Sequence, residues 1–242
     1  MISLSEFRYT LLGLLLAGST QAEILYEWNF EDPEGTFLTS VESSGEFQNP
    51  WDGAFDRSST DGEGFFEIGR TPGGIANAYI DVSDDGFGID PLWVVLEIQE
   101  WSFSGKSASE TLRLGVVDSP DEERPHVLAQ IRLERTGANE VSVLGESFGD
   151  GAVSMDPLPV FGAVQEVPVT LAMKIDQADQ LFELYYQVAD GPFLFLGKGK
   201  TSPDREINYL RFGLSGYFNA SDEIFSIDRI AFQTSPPEGV KE

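Results

Sequence analysis

The chain has 242 residues, one histidine, no cysteine, and a formal net charge of −26 from 15 Lys plus Arg against 41 Asp plus Glu. Disulfides, thiol nucleophiles, thiolate metal sites and zinc centres built on several histidines are therefore excluded. A field this negative repels phosphate backbones, so nucleic acid is not an expected partner.

Residues 1–22 read as an export signal. Arg8 precedes the apolar run Leu11-Leu12-Gly13-Leu14-Leu15-Leu16-Ala17, and small residues follow up to Ala22. That run is too short to span about 30 Å of hydrocarbon, and no later stretch replaces it. The expectation is a secreted, periplasmic or cell-surface protein with no stable membrane span. The remainder suits one all-β domain over 23–233.

From Ile24 onwards apolar residues alternate with period two between turn residues, and no stretch sustains helical spacing. Ile24, Tyr26, Trp28 and Phe30 share one strand face. Strands are also predicted at 92–103, 111–117, 127–133, 169–175, 181–188, 210–214 and 224–232. Asp-Gly pairs at Asp52, Asp61, Asp85, Asp150 and Asp190 supply turns, since Gly accepts positive φ and Asp bonds its own backbone. Residues 168–198 predict a three-strand meander. Long loops are expected at 33–63 and 145–166, and a disordered tail at 234–242. Such strands pack as two antiparallel sheets, a β-sandwich.

Four pieces carry a likeness to a known family: Trp28-Asn29-Phe30-Glu31, Thr60 to Ile68, Val169 to Val188, and Leu210-Arg211-Phe212-Gly213-Leu214 with Phe225 to Ile230. Together they resemble the concanavalin A-like lectin/glucanase superfamily in its laminin-G-like bacterial form. The resemblance implies a jelly roll whose first and last strands lie side by side, bringing Glu31 and Asp32 close to Asp228. It also implies a structural calcium.

Calcium is the ligand these acidic loops suit by residue type, because hard cations take several oxygens. Asp81, Ser83 and Asp85 stand at the first, third and fifth positions of a run with Gly86 at the sixth, like the opening of a calcium loop. The twelfth position is Leu92, where a bidentate carboxylate is required.

The familiar catalytic patterns are broken at named residues. Glu27-Trp28-Asn29-Phe30-Glu31 has Asn29 where the glucanases of this superfamily place an Asp. Gln130-Ile131-Arg132 is similar to the Gln-Ile-His run of alginate-lyase-like proteins, but Arg132 replaces the His. His126 follows a charged turn and reads as a surface residue, within possible reach of Tyr185 or Tyr186.

Sugar binding needs aromatic faces and polar side chains between them. If strands 92–103 and 181–188 are neighbours, Trp93, Glu97, Gln99, Trp101 and Tyr185 line one sheet face, with Trp51 as a further contact. The same Trp residues would instead form a second core if long loops covered them. The leading expectation is a secreted carbohydrate-binding or cell-surface recognition module, non-catalytic, whose partner is a polysaccharide or glycan. The alternatives are a jelly-roll polysaccharide lyase or glycoside hydrolase with an atypical site, and a structural envelope or matrix protein.

Overall fold

The computed structural model describes residues 23–46, 51–53, 58–68, 74–85, 91–103, 110–120, 126–216 and 224–241. The expected leader at 1–22 and residues 86–90 of the acidic run lie outside them. The described strands are β1 (Ile24–Trp28), β2 (Asp52–Gly53), β3 (Ser59–Thr60), β4 (Phe66–Glu67), β5 (Gly74–Asp81), β6 (Leu92–Ser102), β7 (Thr111–Val117), β8 (Val127–Gly137), β9 (Glu140–Glu146), β10 (Leu158–Phe161), β11 (Val164–Gln165), β12 (Val169–Asp176), β13 (Leu181–Val188), β14 (Leu194–Lys200), β15 (Tyr209–Gly216) and β16 (Ile224–Gln233). One sheet of nine strands runs β14-β13-β12-β6-β16-β4-β3, with β1 on β16 and β11 on β6. The other, of seven, runs β10-β9-β8-β7-β15-β5-β2. Among the described residues no helix is long and apolar enough to cross a membrane.

Period-two alternation builds this sandwich directly. Val169, Leu171, Met173 and Ile175 on β12 pack inward beside Leu92, Val94, Leu96 and Ile98 on β6. Opposite them stand Leu112, Leu114 and Val116 on β7, Ile131 and Leu133 on β8, and Leu210, Phe212 and Leu214 on β15. The meander forms as expected, β12 pairing β13 from Val169↔Val188 to Asp176↔Leu181, and β13 pairing β14. Its second turn differs in detail, because Ala189 takes the left-handed conformation (φ 47°) in place of Gly191. The first and last strands do lie side by side, with Trp28 opposite Ile230.

Three sequence expectations need correction. Trp101 belongs to the central core, not to an outer face. It is 1% exposed, stacks on Phe225 with centroids 6.0 Å apart, and donates its indole N–H to Gly162 O at 3.1 Å. The cause is a bulge. Ser226 pairs with Glu100 but Ile227 pairs with Ile98, so Gln99 is an extra residue on β6; Asp228 is the matching extra residue on β16. One inserted residue moves every later side chain to the opposite face.

Trp51 is also core. It is 2% exposed, with its ring 5.0 Å from Trp28. The segment after β16 is ordered where described: Thr234 N donates to Glu23 O at 3.0 Å, Gln233 Nε2 to Ser235 O at 2.8 Å, and Val240 packs against Trp93. An apolar side chain near the end of a polar segment is enough to fasten it to an aromatic patch.

Candidate functional site

The expected sugar face is the outer side of the nine-stranded sheet, and the structure closes most of it. Trp93 is 0% exposed, lies 5.8 Å from the Tyr185 ring, and is covered by Phe193 and Val240. Tyr185 donates its hydroxyl to Glu183 Oε2 at 2.8 Å. Glu97 accepts from Arg229 Nη1 at 2.7 Å, and Arg229 Nε reaches Glu27 at 2.6 Å. Gln99 occupies the bulge and Trp101 is inside. The five residues therefore do not form one binding surface. Of the five, Glu97 lines a cleft of about 660 Å³ shared with Thr170, Gln187, Phe193, Arg229 and Pro237, and Gln99 is half-buried outside it.

Among the described residues the two calcium sets are not assembled around a common point. Asp81 Oδ1 accepts from Ser83 N at 3.0 Å and Ser83 Oγ at 2.6 Å, which closes a local turn and lowers the Asp81 pKa. Asp85 points elsewhere, accepting from Tyr26 OH at 2.7 Å. Glu31 is near enough to Asp228 to act on it. Burial first, then Glu97 and Glu31, raise the Asp228 pKa against the pull of Arg229. Among the described residues no three acidic, His or Cys side chains are grouped to hold a metal ion, and Asp32 joins no such group.

His126 is not a partner for Tyr185 or Tyr186. Its Nδ1 lies 2.9 Å from Asp118 Oδ1 at the start of β8 in the seven-stranded sheet, whereas both tyrosines are on β13 in the other sheet. Asp118 Oδ2 also accepts from Arg205 at 2.6 Å, so the imidazole belongs to an ion-paired cluster.

The other outer face carries what was missed. Strand pairing places Tyr79, Arg211, Gly115, Gln130 and Glu146 in one row across β5, β15, β7, β8 and β9. The next row on that face is Asn77, Gly213, Arg113, Arg132 and Leu144, followed by Ser215, Thr111, Glu134 and Ser142. Core residues such as Phe212, Leu114 and Ile131 alternate with them, so these rows point away from the core.

Hydrogen bonds link the rows, Arg211 Nη1 donating to Gln130 Oε1 at 3.4 Å. Asn77 Oδ1 accepts from Arg211 Nη2 at 2.9 Å and Nε at 3.2 Å. Gln130 Nε2 donates to Glu146 Oε2 at 2.7 Å, and Arg132 bridges Glu146 at 2.5 Å and Glu134 at 2.7 Å. Burial opposes the Arg132 charge, but these two carboxylates outweigh it and raise its pKa. Arg113 is different. It donates to Ser215 Oγ at 2.9 Å and touches no carboxylate among the described residues. Burial, then Arg132 and Arg211, outweigh the pull of Glu146 and Glu134 and push its pKa down to about 10.

The sequence held a signal for this face. Arg113, Arg132 and Arg211 each interrupt an apolar strand at an outward position in a chain poor in basic residues. What it lacked was the register that makes them neighbours.

No protein-family model matches the sequence, and no curated protein matches it either. Solved structures do. The Emp46p carbohydrate recognition domain in its metal-free form is 14% identical, covers 87% of this chain and 99% of its own, and superposes with a TM-score of 0.52. The VIP36 exoplasmic/lumenal domain in its Ca2+-bound form is 10% identical, with coverage of 86% and 92% and the same TM-score of 0.52. The fold is the concanavalin A-like jelly roll. The binding domain of botulinum neurotoxin DC, solved with rat synaptotagmin II, is similar over 87% of this chain and 50% of its own, at 7% identity and a TM-score of 0.52. At such identities the likeness concerns the fold alone.

Proposed function

We propose that this protein is an exported, non-catalytic carbohydrate-recognition module that holds a glycan on the outer face of its seven-stranded sheet. The observation that carries this reading is the network on that face. Its amide, guanidinium, carboxylate and hydroxyl groups are fixed by one another on rigid strands, which is how a surface is prepared for a ligand made of hydroxyls. Two proteins of the same fold support it by their own ligands: Emp46p contributes a carbohydrate recognition domain, and VIP36 has a Ca2+/Man2-bound form.

The way the acids are held supports the non-catalytic reading. Both oxygens of Glu146 accept hydrogen bonds, from Gln130 and Arg132, and Glu134 is paired to Arg132. Carboxylate oxygens engaged in this way are not aimed at a glycosidic bond. His126 is committed to Asp118. Export rests on the leader read at 1–22 and on a cysteine-free chain that needs no redox maintenance.

A glycan array with the full chain, alongside absorbance at 235 nm on the polysaccharides that bind, tests the proposal. Binding with flat absorbance is expected. Rising absorbance would make the protein a lyase, and failure to bind any glycan would leave the structural-protein alternative.

A further inference from the structure

We infer that the glycan is acidic, and that its carboxylate or sulfate oxygens are received by Arg113, in the row it shares with Asn77. This rests on the carbohydrate-recognition reading above and specifies its ligand class.

The first argument is a count of donors and acceptors. Glu146 has given both oxygens to Gln130 and Arg132, and Glu134 Oε2 is taken by Arg132. The donors are not used up. Arg113 commits one nitrogen, to Ser215. Asn77 is 7% exposed and its Nδ2 has no hydrogen-bond partner among the described residues. That nitrogen cannot be exchanged with Oδ1 by turning the amide, because Oδ1 accepts two bonds from Arg211. Arg132 Nε is likewise without a partner. Leaving a buried donor unsatisfied is unfavourable. A face with spare donors, whose Glu146 oxygens are both taken, favours a ligand rich in acceptors.

The second argument is charge. The three rows hold Arg113, Arg132 and Arg211 against Glu134 and Glu146, a local excess of one positive charge in a chain of −26. A carboxylate beside Arg113 would be easy to supply from 41 acidic residues, yet none touches it among the described residues. Its charge is held against burial and two neighbouring guanidiniums, with Glu146 and Glu134 attracting it only from beyond contact, and at neutral pH it is still present. An incoming oxyanion would relieve that cost, so the ligand-free strain favours binding. The planar guanidinium fork matches carboxylate and sulfate oxygens in pairs.

The third argument is space. Gly213 lies between Asn77 and Arg113 in the row. A Cβ there would fall 2.6 Å from Asn77 Oδ1 and 3.4 Å from Arg211 Nε. Glycine there lets the Asn77 amide and the Arg211 guanidinium lie flat against the strand beside Arg113, which fixes the polar groups of this face. Elsewhere the acidic surface repels such a polymer, but at about 0.15 M salt that repulsion fades over roughly 8 Å, and contacts on the face decide.

The test is isothermal titration of the full chain at about 0.15 M salt with polygalacturonate, its carboxyl-reduced neutral form, dextran sulfate and dextran, for wild type, Arg113→Gln and Arg113→Lys, each checked by a melting curve. Wild type should bind polygalacturonate or dextran sulfate, the one that binds identifying carboxylate or sulfate as the source. Affinity should fall about tenfold or more for the matching neutral polymer and for Arg113→Gln, with Arg113→Lys in between. The melting temperature of Arg113→Gln should stay the same or rise. Equal binding of the neutral forms, or unchanged binding by Arg113→Gln, would overturn the inference while leaving carbohydrate recognition intact. Failure of all four polymers together with an empty glycan array would remove both.

Discussion

The two outer faces of this sandwich solve opposite problems. On the nine-stranded sheet, Trp93 and Tyr185 form an aromatic patch that the chain covers itself with Phe193 and Val240. On the seven-stranded sheet, long polar side chains form a network that retains unused donors. A large aromatic in an outward strand position is therefore poor evidence for binding until its cover is known. A polar network with surplus donors is better evidence, because hydrogen-bonding capacity left idle under burial is unfavourable unless a ligand uses it.

Four changes would break or sharpen this contrast. The largest effect is expected from Trp93→Ala, which empties a fully buried site and should lower stability by about 3 kcal/mol or more, read by chemical denaturation, with glycan affinity unchanged. Loss of binding in a folded Trp93→Ala variant would return the aromatic face to candidacy. Next is Arg113→Gln, which should weaken glycan binding by about tenfold without loss of stability. Third, removing residues 236–242 takes Val240 from the cluster of Trp93, Ala172 and Tyr185. It should red-shift tryptophan fluorescence and lower stability by about 1 kcal/mol, with binding retained.

The smallest effect concerns pH. Asp228 has a raised pKa, from burial and from Glu97 and Glu31. Below the unfolded value of about 3.9 both states hold the proton and the residue has no effect. As pH rises through the folded value, the native state resists ionisation and stability is lost. Asp228→Asn should therefore raise the melting temperature by about 1–2 °C at pH 7 and change nothing at pH 3. A lower melting temperature at pH 7 would show that Asp228 has a stabilising partner.

The fold was legible in the sequence because alternation is local. Val169, Leu171, Met173 and Ile175 announce a strand face on their own, and their meander followed. The site was legible only in fragments. The bulge at Gln99 inserts one residue into a strand whose period looks unbroken, so Trp101 was assigned to the wrong face. The cover on Trp93 comes from Val240, a contact about 150 residues away that no local pattern announces. Asp81 and Ser83 carry the spacing of a calcium loop, but the same spacing closes an ordinary Asp turn, and the hydrogen bonds show which. Arg113, Arg132 and Arg211 lie on three strands that become neighbours through pairing register, which also brings Glu146 into contact with Arg132 but not with Arg113.

The central claim is that ligand lies on the seven-stranded sheet. Hydrogen exchange of the full chain, with and without a saturating glycan taken from the array, tests it most directly. Slowed exchange confined to β7, β8 and β15, around Arg113, Arg132 and Arg211, is the predicted result. Slowed exchange at β6, β13 and residues 234–241, with β7, β8 and β15 unchanged, would contradict it.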